Sequence, residues 1–219
     1  MNTKYFLEGV ACTCKTISLN VLRNYGLDTS IGDYFDHCNM HNEFMNKNND
    51  LLTSLIYNFW NTMRTNNIKY GDRTPLSNIL YPLIYDIVNR ENITINNNDK
   101  IYLNFLIKIY NELDLDWNIL IILVSTDDKT ITKIVDNMKI RNNKIDILSK
   151  EYVIVQNNIF KYLSKKIKCK IYEVDLNKND IYTIIKEICI NFTDMINNND
   201  IKKKIINCNN FNNIIDKIK

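Results

Sequence analysis

Apolar positions along the chain fall into short continuous runs and into longer stripes at helical spacing, and the two alternate. Residues 4 to 8, Lys-Tyr-Phe-Leu-Glu, predict a short strand, and 15 to 25 a helix after an intervening loop. No period is visible from 28 to 48. Behind Asp50, the positions Leu51, Leu52, Leu55, Ile56, Phe59, Trp60 and Met63 make an amphipathic stripe. Ile68-Lys69-Tyr70 reads as a further short strand running into Gly71-Asp72-Arg73-Thr74, and Pro75 suits the first turn of a helix through Leu76, Ile79, Leu80, Leu83, Ile84 and Ile87. After a polar connection at 92 to 98, residues 99 to 113 predict another helix. The strongest strand is 118 to 124, whose apolar run Ile-Leu-Ile-Ile-Leu-Val requires cover on both faces. Ser125-Thr126-Asp127-Asp128 caps a helix to Met138, 139 to 149 is charged and loop-like, and 150 to 166 returns to helix. Residues 169 to 174 predict the last strand and 180 to 192 the last long helix, followed by an Asn-rich, basic, weakly amphipathic tail.

Strands alternating with helices imply a helix-rich α/β fold, a parallel sheet in three layers. Residues 1–196 form one domain in this reading and 197–219 a C-terminal helical extension. No internal repeat or Pro/Gly/Ser linker divides the chain.

Composition narrows the function classes. The 28 basic residues are interspersed with 25 acidic ones for a net charge of +3, so no face is marked for a nucleic-acid backbone. No run approaches the roughly 18 apolar residues that span a bilayer, and no signal peptide opens the chain, which predicts synthesis in the cytosol or nucleus without a membrane partner. Four glycines and two prolines are few, while asparagine fills about one position in six. Ordinary usage is about 12% glycine plus proline. That bias fits AT-rich coding, as in a parasite, a symbiont or a large DNA virus. Six cysteines, Cys12, Cys14, Cys38, Cys169, Cys189 and Cys208, form no C-x-x-C pair, and His37, Cys38 and His41 lack the partner spacing of a zinc site, so no metal site is expected. The cysteines read as buried small side chains or free thiols, and exposed ones could cross-link molecules outside a reducing compartment.

Three short motifs carry the candidate chemistry. Gly9-x4-Cys14-Lys15-Thr16 lies between the first strand and first helix, Asp72-Arg73-Thr74 follows a later strand, and Arg141 stands in the charged stretch after the helix behind the long apolar strand. In this order the motifs resemble the P-loop deoxynucleoside and thymidylate kinases over roughly residues 4 to 195. The resemblance implies that loop amides cradle phosphates, Lys15 reaches the β- and γ-phosphates and Thr16 holds Mg²⁺. It also implies that Arg141 closes from a lid and that Asp72 and Arg73 stand at the substrate and phosphate end. Such kinases carry a catalytic carboxylate and an aromatic neighbour after the second strand. Asp28, Asp33, Asp36 and Glu43 are the carboxylates available, and none matches clearly.

Cys14 stands where the family has a glycine, at a position where a Cβ is disfavoured and phosphate comes close. Gly9, Cys14, Lys15 and Thr16 thus read as a vestigial nucleotide site, and Lys15, Thr16, Asp72, Arg73 and Arg141 as vestigial catalytic residues. The expectation is a non-enzyme without cofactor. Size, coding bias and a degenerate kinase pattern resemble the polyhedrins, the occlusion-body proteins of nudiviruses. That resemblance implies a structural protein whose partners are its own copies and virions. It would assemble in the host nucleus or cytosol into a lattice that becomes an extracellular occlusion body, cross-linked between molecules through cysteines among the six. The alternative is a viral deoxynucleoside or thymidylate kinase using ATP and Mg²⁺.

Overall fold

A computed structural model describes residues 3–30, 69–74, 76–112, 116–142 and 146–218. The amphipathic stripe at 50 to 63, with Trp60, and the group His37, Cys38 and His41 lie outside the described residues.

Among the described residues, five strands form one parallel sheet: β1 (Lys4–Gly9), β2 (Thr29–Ser30), β3 (Tyr70–Asp72), β4 (Trp117–Val124) and β5 (Cys169–Val174), in the order β2-β3-β1-β4-β5. The helices are α1 (Lys15–Asn24), α2 (Ser77–Val88), α3 (Asn97–Glu112), α4 (Asp128–Arg141), α5 (Lys150–Ser164), α6 (Ile181–Met195), α7 (Asn199–Ile206) and α8 (Phe211–Ile218). The three-layer α/β fold is therefore as the apolar pattern implies. Right-handed crossovers dictate the layers. The connection from β1 to β2 and β3 runs one way along the sheet and puts α1 on one face. Those from β3 to β4 and from β4 to β5 run the other way and put α2 to α5 on the opposite face. Consistent with this, α1 packs with α6 and α8, while α5 packs with both α2 and α4.

β4 lies at the centre of the core. Ile119 to Val124 are all buried because helices cover both faces. Phe6 meets Trp117 edge to face at 5.1 Å, so Trp117 is a core residue. Asp127, Ser149 and Asp180 cap α4, α5 and α6, each accepting a backbone N–H three residues on. The tail is two helices rather than one weak stripe, separated at 207–210, and each buries an apolar pair, Ile201 with Ile205 and Phe211 with Ile215. Among the described residues no helix is long and apolar enough to cross a membrane.

β1 lies between β3 and β4, with Leu7 level with Asp72 and Gly9 level with Ile122. The carboxyl ends of β1 and β3 therefore stand together, where parallel sheets gather ligands. The third strand is shifted from its predicted position: it begins at Tyr70 and includes Gly71, which pairs with Phe6 on one side and Ser30 on the other.

Candidate active site

The loop after β1 is shaped by its backbone. Gly9 has φ 121, and a Cβ there would lie 2.1 Å from the Ile122 carbonyl oxygen of the neighbouring strand, so no other residue fits. Val10 N–H donates to the same oxygen at 3.1 Å, and the Thr13 hydroxyl donates back to Val10 O at 2.7 Å. Cys12 and Cys14 both take left-handed conformations, φ 55 and 65. Such alternation bends successive amides toward one concavity, an anion nest. α1 begins at Lys15 with no side chain capping it and no acid in its first turn, which leaves its positive end facing that concavity. The strain expected at Cys14 is present as a left-handed backbone. The backbone reaches the conformation that glycine would supply, at a local cost of about 1–2 kcal/mol, while the side chain packs against the core.

Lys15 is 5% exposed and donates its ammonium to Gly9 O at 3.3 Å, to Thr13 Oγ1 at 3.1 Å and to Val10 O. Burial lowers its pKa to about 8; the Arg73 charge adds to that, and Asp72 and Glu8 oppose it. The Thr16 hydroxyl donates to Asp72 Oδ2 at 2.6 Å, while Asp72 Oδ1 is buried without a protein partner. A hydroxyl beside a carboxylate with an unused oxygen, next to an anion nest, is the donor set that suits Mg²⁺ shared with phosphates.

Arg73 and Thr74 converge on a residue outside the motifs. Glu8, fully buried, accepts from Gly9 N at 3.0 Å, Thr74 N and Thr74 Oγ1 at 2.9 Å each, Ser77 Oγ at 2.7 Å and Arg73 Nη1 at 3.4 Å. Arg73, itself at φ 63, also donates to Gly9 O at 3.2 Å and lies 4.7 Å over the Tyr81 ring. From the other side Gln156 of α5 accepts from Ala11 N at 2.9 Å and from the Tyr81 hydroxyl at 3.1 Å, tying the loop to two helices. The motif reading passes over Glu8, Tyr81 and Gln156. Their signals were a charge inside an apolar strand and a polar residue on the buried face of α5.

Arg141 ends α4 rather than standing in a loop. Its guanidinium reaches the Cys12 thiol, whose pKa is pushed up by burial and by Asp146 and held down by Arg141. The region predicted as a lid therefore touches the loop. Among the described residues Cys12, Cys14, Cys169, Cys189 and Cys208 form no disulfide within the chain, and Cys38 lies outside the described residues. Cys189 is fully buried and donates to Ser18 O at 3.4 Å, which removes it from any cross-link. β2 supplies a strand that the sequence pattern hides. Asp28 precedes it, exposed, and Asp33, Asp36 and Glu43 lie outside the described residues.

No protein-family model matches the chain, and no curated protein matches it. Solved structures do. A deoxyadenosine kinase from M. mycoides with bound dATP superposes with a TM-score of 0.52 at 18% identity, covering 85% of this chain and 97% of that one. The same enzyme with its products dCMP and a flexible dCDP gives 0.53 at 19% identity, covering 89% and 100%, and with dCTP 0.52 at 18%, covering 88% and 100%. These matches overturn the expectation of a non-enzyme without cofactor. The proteins that share the architecture are kinases whose structures hold nucleotides. Nothing in the fold or the matches supports the occlusion-body resemblance. The chain has a P-loop deoxynucleoside kinase-like fold.

Proposed function

We propose that the protein is a deoxynucleoside kinase that transfers the terminal phosphoryl group of a nucleoside triphosphate to a deoxynucleoside, with a deoxynucleoside monophosphate as the acceptor to compare. The observation that carries this reading is the loop from Gly9 to Thr16. It keeps two left-handed residues and an uncapped helix start although one of its glycines is a cysteine.

In this reading the loop amides bind phosphate oxygens and fix the donor. Lys15 exchanges the carbonyls of Gly9 and Val10 for phosphate oxygens. Its buried ammonium, held by neutral acceptors, gains a charged partner. Thr16 and Asp72 would hold Mg²⁺, which when bound neutralises charge on the polyphosphate. Arg73 faces the transferred group from the β3 end, and Arg141 approaches from the end of α4 over Cys12. Both stabilise charge that grows in transfer. The base for the acceptor hydroxyl is to be sought among Asp33, Asp36 and Glu43, which follow β2 in sequence and lie outside the described residues.

The test is transfer of label from γ-labelled ATP to each of the four deoxynucleosides and to thymidylate. Wild type is expected to turn over at least one deoxynucleoside, with Lys15→Ala losing about 10²–10³-fold. Wild-type protein that is folded and inert with every acceptor would remove the proposal.

A further inference from the structure

We infer that Glu8 is the positioning residue for Arg73. Its carboxylate is the fixed point on which the guanidinium, the β3–α2 turn and the start of the phosphate loop are assembled. Its role in transfer rests on the kinase reading, whereas its seating of Arg73 does not.

Five donors reach this one carboxylate, and they come from both sides of the site. Gly9 N belongs to the loop, and Arg73, Thr74 and Ser77 belong to the turn into α2, 65 to 69 residues away. Of the five donors only Arg73 carries a full positive charge, and the Lys15 ammonium acts on Glu8 through space. Arg73 is also held by Gly9 O and by the face of Tyr81, and its backbone is left-handed, φ 63, a conformation that persists only when the surroundings over-determine it. A long, flexible side chain with 12% exposure is thus held from three directions at the mouth of the loop.

The experiment uses the full chain and has two arms. In the first, Arg73 is labelled with phenylglyoxal and followed by peptide mass spectrometry in wild type, Glu8→Gln and Glu8→Asp. Arg90, in its separate pairs with Asp86 and Asp99, serves as internal reference. Loss of a charge-assisted hydrogen bond corresponds to roughly tenfold or more in released population, so Arg73 should label about tenfold faster in Glu8→Gln while Arg90 is unchanged. An unchanged Arg73 rate in a folded variant overturns the inference. Should Glu8→Gln not fold, Glu8→Asp decides, since it keeps the charge and withdraws it by one methylene. In the second arm Glu8→Asp is expected to lower kcat about tenfold, with KM for the triphosphate within about twofold. In an Arg73→Lys background it should then lower kcat no further. Additive losses would mean that Glu8 acts otherwise than through Arg73. Wild type without turnover would remove the kinase proposal, while the labelling arm would still decide the role of Glu8.

Discussion

Replacing Cys14 by glycine restores the residue that phosphate-binding loops ordinarily carry, and the structure predicts that it changes little. Cys14 already has φ 65 and ψ 12. Relief of left-handed strain favours the glycine variant by about 1–2 kcal/mol. Against it stand the backbone freedom that glycine restores to the unfolded chain, about 0.5–1 kcal/mol, and the loss of a half-buried thiol packed on the core, of about one methylene's worth at roughly 0.8 kcal/mol. The balance lies within about 1 kcal/mol of zero, and for a chain this long 1 kcal/mol moves Tm by about 2–4 °C. The same limit applies to binding: because the loop is preformed, the triphosphate Kd should shift by less than about fivefold, since a tenfold change needs about 1.4 kcal/mol. Titration calorimetry with ATP and Mg²⁺ on both proteins, with a thermal melt of each, measures the two quantities. A gain of a hundredfold or more in affinity would show that the Cys14 side chain obstructs phosphate, and the account of a preserved nest would fall.

Lys15 should give nucleotide binding a distinctive pH dependence. With its pKa near 8 without nucleotide and polyphosphate favouring the charged form, binding takes up a proton above pH 8 and affinity falls from pH 8 to 9.5. Calorimetry in two buffers of different ionisation enthalpy should detect that proton in wild type and not in Lys15→Arg; equal uptake in both would assign it elsewhere. For folding, the depressed value means that the unfolded chain binds the extra proton between pH 8 and 10.5, so the cost of burying this charge, full below pH 8, is relieved as pH rises. Gly9→Ala forces a Cβ to 2.1 Å from Ile122 O at φ 121 and should cost about 3–5 kcal/mol, read as a fall in Tm of about 10 °C; a fall under 2 °C would contradict the packing of β1 on β4. Phe211→Ala empties a buried site on α8, against which Lys186 lies at 5.7 Å, and should cost about 3–5 kcal/mol. A melt unchanged within 2 °C would show that the tail folds independently of the domain.

What the sequence shows and what it hides divide along a physical line. β4 and β5 were legible because a strand covered on both faces, or bounded by charge, writes its limits into a local run of residues, and α6 because Asp180 marks its start. β2 is two residues long, and its pairing with β3 depends on a partner about 40 residues away, so no local pattern can announce it. The same holds for the site. Lys15, Thr16 and Asp72 are found by motif, whereas Glu8 and Gln156 show locally only as a charge inside an apolar strand and a polar residue on a helix face, and their roles follow once donors arrive from 65 to 69 and 145 residues away. Cys14 falls on the same line. Residue identity shows which conformation is disfavoured, whereas whether the chain adopts it depends on the forces holding the loop. Here Gly9 seats the loop against β4, Gln156 takes Ala11 N, and Lys15 draws Val10 O inward, so the cost of one left-handed cysteine is small beside what fixes its neighbours. A missing glycine therefore argues against phosphate binding only where the rest of the loop has lost its anchors, and in this chain the anchors remain.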